Sequence, residues 1–228
     1  MSFGLMSQPT ARLEFEVASV KPNSSVDSGT QWNVSHGNFA AENASLKQLI
    51  AWAYAIPKIQ VSGPTWLDSL RFDIKAKGIV GASDSQVFLM LQKLLNERFH
   101  LQVHSESREM MVALLMVARS GLKILPIDSA NPMPFSPLPA GRWSVLQMTG
   151  SLQEFAGGLS SSIQRPVLDR TGTEGKFRFR IYYNNGPDSE GPDLYAALRE
   201  QLGLRLEQGK ASVRILVVDG SEKIPTEN

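Results

Sequence analysis

The chain has 228 residues, 42% hydrophobic and 20% charged, with a formal net charge of +1 and no cysteine. That length can bury one large core or two small ones. The composition excludes a disulfide scaffold, thiolate metal sites and a cysteine nucleophile, and the charge leaves no general drive toward nucleic acid or an anionic membrane.

From the N-terminus, Met1–Thr10 carries Phe3, Leu5 and Met6 but no basic n-region and no sufficient apolar h-region. Residues 1–12 therefore read as a disordered arm or the remnant of a signal peptide. Leu13, Phe15 and Val17 alternate with Glu14 and Glu16, which predicts a strand, expected to pair with the second half of the chain. A strand follows near Asn38–Glu42. Ser45-Leu46-Lys47-Gln48 has the S-x-x-Q form of a capping box, and Leu46, Leu49, Ile50 and Ala53 then form one helical stripe. Trp52 and Tyr54 fall off that stripe, and Trp66 follows Gly63-Pro64 in a turn. Aromatics so placed mark either a binding edge or the cap of a small core.

A short strand is expected near Ile59–Val61. Phe72, Ile74 and Ala76 then alternate with Arg71, Asp73 and Lys75 in a further strand. Leu91, Leu94, Leu95 and Phe99 mark a second helix, which runs into Leu101 and Val103. A last strand, Met110–Ala118, is expected to close a hairpin. His100 and His104 have helical zinc spacing beside Glu97, but the alternation reads as a strand, where that spacing is roughly 13 Å and too long to share an ion.

Arg119–Gly141 contains Pro126, Pro132, Pro134, Pro137 and Pro139, a density that favours extended linker over helix or central strand. Beyond it the plan repeats. A strand near Trp143–Met148 leads to the box Ser151-Leu152-Gln153-Glu154 and the stripe Leu152, Phe155, Ala156 and Leu159. A short strand is expected near Pro166–Leu168. Phe177, Phe179 and Ile181 alternate with Lys176, Arg178 and Arg180, and Leu194, Ala197, Leu198 and Leu202 form the last stripe, before Leu204 and Leu206 and a closing strand Val213–Asp219. The offsets between halves are 106, 105 and 103 at the first helix, middle strand and second helix. The expected fold class is α+β, a tandem duplication of a β-α-β-β-α-β-β unit with small antiparallel or mixed sheets and two helices per unit. The expected division is 1–12 arm, 13–118 first unit with an extra N-terminal strand, 119–141 linker, 142–221 second unit and 222–228 tail.

No catalytic or metal site emerges. Gly157-Gly158-Leu159-Ser160 is not a nucleophile elbow, and Ser160, Ser161 and Ser162 read as a polar helix terminus. Glu14 and Glu16 are expected to face water, while Asp68 and Asp169 sit in turn-like segments where Asp bonds its own backbone. There is no phosphate loop or dinucleotide fingerprint, so no cofactor is expected. The most suggestive surface is the row Lys176, Arg178 and Arg180, with Tyr182 on the same face and Arg165 and Arg170 nearby in sequence. It suits an anionic polymer, a carboxylate-bearing ligand or an acidic partner, or it is a solvated strand face paired to Glu207 or Glu174. Candidate binding residues are Lys176, Arg178, Arg180, Tyr182, Arg165, Trp52 and Trp66.

Several segments resemble a known family. Phe15-Glu16-Val17-Ala18-Ser19-Val20-Lys21-Pro22-Asn23, Leu46–Tyr54, Gly63-Pro64-Thr65-Trp66-Leu67-Asp68, Leu94–Phe99, Arg165–Gly172 and Glu200–Leu204 are similar to the uncharacterised soil-associated protein family abundant in acidobacteria. Its members usually begin with a signal peptide, so the resemblance implies a periplasmic or secreted protein. Each half also resembles the short N-terminal domain of secretins and TonB-dependent receptors, which implies a periplasmic docking module without catalysis. The expected function is a non-enzymatic cell-envelope binding or docking module, its partner an envelope protein or anionic polymer, with no nucleic acid and no membrane span. The alternative is an envelope or polysaccharide hydrolase using carboxylates between the two units.

Overall fold

The computed structural model describes residues 13–25, 29–124, 126–127, 137–138, 141, 143–184 and 191–226. Most of the proline-rich segment falls outside that set. The fold is α+β, with several small antiparallel and mixed sheets. By compactness the chain divides into one unit of Met1–Glu106 with Ile215–Asn228 and a second of Ser107–Arg214.

In the first unit, β1 (Val17–Asn23), β2 (Gln31–Ser35), β3 (Asn38–Ser45) and β5 (Arg71–Lys77) form an antiparallel sheet in the order β1-β5-β3-β2. Period-two alternation sets its faces: Phe72, Ile74 and Ala76 point into the core while Arg71, Asp73 and Lys75 point out. The helices α1 (Leu46–Ala53) and α3 (Asp84–Phe99) cover the inner face. Both start with a complete capping box, Ser45 with Gln48 and Ser83 with Gln86. The predicted stripe of α1 is buried throughout, as are Leu91, Leu94, Leu95 and Phe99 of α3. A 3-10 turn, Lys58–Gln60, leads to β4 (Val61–Ser62), followed by the short helix α2 (Trp66–Ser69).

The N-terminal strand departs from expectation in place and in partner. Leu13 and Phe15 precede it and pack on the core, Val17 is exposed, and Ala18 and Val20 face inward. Its partner is β5 of the same unit, with Val17 opposite Lys77 and Asn23 opposite Arg71, so it does not pair with the second half.

In the second unit, β7 (Ser144–Gly150) pairs antiparallel with β9 (Phe177–Tyr183). The helix α4 (Leu152–Ile163) begins with the box of Ser151 and Glu154, and Phe155 stacks on Phe179 at 4.4 Å. β8 (Val167–Asp169) follows, and α5 (Leu194–Ala197) continues into a π-helical turn, Leu198–Leu202, closed by left-handed Gly203.

The expected terminal hairpins are instead two long continuous strands, β6 (Gln102–Val117) and β10 (Leu204–Gly220), which are hydrogen-bonded neighbours. The polar run Ser105–Glu109 looks like a turn but contains neither glycine nor proline to make one. Gly209 is not a turn residue either: it lies within β10, and a Cβ there would crowd Leu114, 2.9 Å from its Cδ1. Each unit receives a parallel strand: Leu216 and Val217 of β10 lie opposite Val61 and Ser62 of β4, and Ala113–Leu115 of β6 opposite Val167–Asp169 of β8.

Candidate functional site

The outer face of the β7–β9 pair carries three of the residues that the sequence marks, Arg178, Arg180 and Tyr182. Because Phe177, Phe179 and Ile181 are committed to the core under α4, the intervening residues must point the other way. Register then places Thr149 opposite Arg178, Gln147 opposite Arg180 and Val145 opposite Tyr182. Two guanidinium groups thus stand in line over neutral cross-strand partners, the arrangement that offers forked donors to carboxylate or phosphate oxygens. Both arginines also engage partners within the chain.

One end of this face is aromatic. The Trp143 ring meets Tyr182 edge-on, centroids 5.3 Å apart. The backbone of Tyr182 is held by Gln201 in the π turn, whose Oε1 accepts from the Tyr182 N–H at 3.1 Å and whose Nε2 donates to its carbonyl at 2.8 Å. A side-chain amide thereby stands in for a neighbouring strand at that point. Lys176 precedes β9 and is exposed, and its carbonyl accepts from the Ile127 N–H at 2.9 Å. Trp143 and Gln201 were not singled out from sequence, although Trp143 shares the parity of Val145, Gln147 and Thr149.

Counted at the same offset, the first unit carries Arg71, Asp73, Lys75 and Lys77 where the second has Lys176, Arg178, Arg180 and Tyr182. Asp73 interrupts that row. Its Oδ1 accepts from Asn23 Nδ2 at 2.7 Å and the Asn43 N–H at 2.8 Å. These bonds, aided by Lys75 and opposed by partial burial, hold the carboxyl below the ordinary carboxylate range. It stays charged, and the first sheet does not present an unbroken row of cations.

The remaining candidates stand elsewhere. Arg165 follows the left-handed cap of α4, on the helical layer, with its N–H bonded to the Ser160 carbonyl at 3.2 Å. Arg170 follows β8, and its Nη1 donates to the Asp169 carbonyl at 3.2 Å. Trp52 and Trp66 belong to the first unit and are half-buried against its core. Trp52 stacks on Trp32 at 5.2 Å, and Lys223 Nζ lies 5.7 Å over the Trp66 ring.

His100 is not a strand residue but the left-handed cap of α3, with φ 47°, and its Nδ1 lies 3.3 Å from Glu222. His104 is on β6, 2.8 Å from Asp219. Ser160 is more than a polar helix end: it is buried, donates to the Ala156 carbonyl at 3.0 Å and accepts from the Val167 N–H at 2.9 Å, tying α4 to β8. Among the described residues, no three or more His, Asp or Glu side chains gather as a metal site, and no helix is long and apolar enough to cross a membrane.

The profile of a family described as a protein of unknown function (DUF3738) matches residues 47–220. The chain belongs to the DUF3738 family. No curated protein and no solved structure matches it. The DUF3738 match takes in all of α1 except its first residue, the whole β7–β9 face and the π turn that carries Gln201. β1, β2 and β3 precede the matched span.

Proposed function

We propose that the protein is a non-catalytic binding module of the cell envelope, periplasmic or secreted, that holds an anionic partner on the outer face of β7–β9. The observation that carries this reading is the pair Arg178 and Arg180, in line over Thr149 and Gln147 and ending at the Trp143–Tyr182 pair. Forked guanidinium donors give geometric recognition of carboxylate or phosphate, and an adjacent ring adds apolar contact with a sugar or side-chain face. The internal partners of both arginines make binding an exchange of contacts, which favours a polyanion that supplies several acceptors at once.

The roles of three aspartates fit a non-catalytic reading. Asp68 is held by Lys47 and Lys58, Asp73 by Asn23 and Asn43, and Asp169 accepts from Thr171 in a turn. Each is committed to structure. The envelope assignment rests on the resemblance to the soil-associated family and to secretin-type docking domains, and fractionation of the native host tests it.

The binding test uses polygalacturonate and polyphosphate as defined carboxylate and phosphate probes. The double variant R178E/R180E is expected to lose at least ~10-fold in affinity, since each charge-assisted bond contributes about 1.5–3 kcal/mol. Charge reversal at Lys75 and Lys77 controls for net charge and is expected to change affinity little. Equal losses in the two double variants, or no binding of either probe, would remove this face from the argument. A pull-down from envelope extracts with K176E/R178E/R180E then asks which partner is lost.

A further inference from the structure

We propose that β2 is a self-pairing edge through which two copies of this chain join, antiparallel, about a twofold axis at Asn33. Among the described residues β2 is the last strand of its sheet, with β3 on one side and no strand on the other. The hairpin that joins it to β3 turns on His36 and Gly37, both with positive φ, 53° and 80°, which is the two-residue geometry suited to the twist of the strands. That turn makes Ser35 and Asn38 a hydrogen-bonded pair, and by alternation Asn33 and Gln31 also bond across to β3. The N–H and carbonyl groups of Trp32 and Val34 therefore point to the open edge.

The residues of β2 are Gln31, Trp32, Asn33, Val34 and Ser35, with no charge and no proline. Natural edges are commonly protected by lysine, proline or inward charge. The opposite edge of the same sheet has such protection: β1 carries Lys21 and Pro22, and Arg98 Nη2 approaches the Ala18 carbonyl at 3.5 Å. β2 has none of these.

The pattern is also self-complementary. Laid antiparallel on a second copy with Asn33 facing Asn33, Trp32 faces Val34 and Gln31 faces Ser35. Trp32 and Val34 then exchange backbone bonds with their opposite numbers, and their side chains form an aromatic–β-branched cross-strand pair on the helix-covered face. The polar residues meet polar residues on the other face, and no like charges meet at the axis. Trp32 has reason to be covered. It is 48% exposed although its ring stacks on Trp52 at 5.2 Å and lies 6.3 Å from Phe88, with Leu89 also exposed on α3. A five-residue ladder is smaller than a standard interface, so the equilibrium is weak and concentration-dependent.

The cysteine-free chain supplies its own test. At the axis the two Asn33 Cα atoms stand ~4.5 Å apart in a non-hydrogen-bonded pair, a separation that a disulfide spans. Asn33→Cys in the full chain is expected to cross-link under mild oxidation. Gln31→Cys is not, because its two copies stand roughly 13 Å apart. In sedimentation equilibrium the unmodified chain is expected to move from monomer toward dimer between about 10 μM and 1 mM, the range of weak interfaces. Asn33→Lys, on the solvent face, is expected to weaken that association at least ~10-fold by placing like charges together. A chain that stays monomeric at ~1 mM overturns the proposal, and so do equal cross-linking rates for the two cysteine variants.

Discussion

At single residues, charge and backbone conformation explain positions that look functional in the sequence. Asp68 accepts from Lys47 at 3.0 Å and pairs with Lys58 at 2.7 Å, joining α1, the 3-10 turn and α2. Burial alone would raise its pKa, but the hydrogen bonds and charges of the two lysines outweigh it and hold the carboxyl below its ordinary value. A group depressed in the folded state contributes stability above its unfolded pKa and loses it as pH falls through the folded one. Asp68→Asn is therefore expected to cost ~0.5–1 kcal/mol at pH 7, a small value because the Asp68 side chain is 43% exposed and its charge screened. Thermal melts should show that difference constant from about pH 7 to pH 5 and shrinking below about pH 4. A difference that persists unchanged to pH 2 would mean that packing, not charge, sets the effect. His100 and Gly203 are each the residue that ends a helix, and their difference also has a local cause. Both close a helix in the left-handed region, at φ 47° and 68°, but a Cβ on Gly203 would stand 1.9 Å from the Gly121 carbonyl oxygen, so only glycine fits there.

Among elements, the capping boxes show how far short-range chemistry reaches. Ser45 and Ser151 were legible because polar S-x-x-Q and S-x-x-E precede clear apolar stripes, and both boxes form. The box of Ser83 and Gln86 has the same form but is not legible, because the clear i, i+3, i+4 apolar stripe starts only at Leu91, well past the box. All three serines accept the N–H three residues on, but Ser45 is buried while Ser83 is exposed. Ser83→Ala is expected to cost ~1 kcal/mol, water replacing the lost acceptor. Ser45→Ala is expected to cost about 2 kcal/mol or more, because the Gln48 N–H is left without water. Urea melts compare the two, and equal losses would count against the burial argument. Strands were legible where alternation is strong, as in Phe72–Ala76 and Phe177–Ile181. β2 is not legible because its apolar positions, Trp32 and Val34, are too few to establish a period. The continuity of β6 and β10 is hidden for another reason: pairing along a ladder keeps Ser105–Glu109 extended, and nothing local to that polar run reports it. The candidate face follows the same rule. Arg178, Arg180 and Tyr182 could be read from one strand, whereas Trp143, Thr149 and Gln147 join them only through cross-strand register, and Gln201 only through a π turn.

For the whole molecule, the two cores draw on the chain differently. The second is built from Ala113 to Leu204 and lies within the contiguous stretch 107–214. The first takes Leu216 and Val218 from the far end of the chain, 1% and 7% exposed, and β4 finds its parallel partner there. The segment after β10 continues the attachment, with the Glu222 N–H on the Phe99 carbonyl at 2.7 Å and the Thr226 N–H on the Arg98 carbonyl at 2.8 Å. Proline density in the sequence suggests cutting at 119–141, which would give fragments 1–118 and 119–228. Fragment 1–118 would lack both buried side chains, a loss of about 3–6 kcal/mol at ~1.5–3 each. That is comparable to the ~5–15 kcal/mol that holds a whole domain. It is therefore expected to show helical circular dichroism without a cooperative melt, while fragment 107–214 melts cooperatively. Adding the peptide 204–228 to fragment 1–118 should restore a transition, because it returns Leu216 and Val218 to the unit that buries them. Cooperative melting of 1–118 and 119–228, each alone, would instead make the proline-rich segment the working boundary.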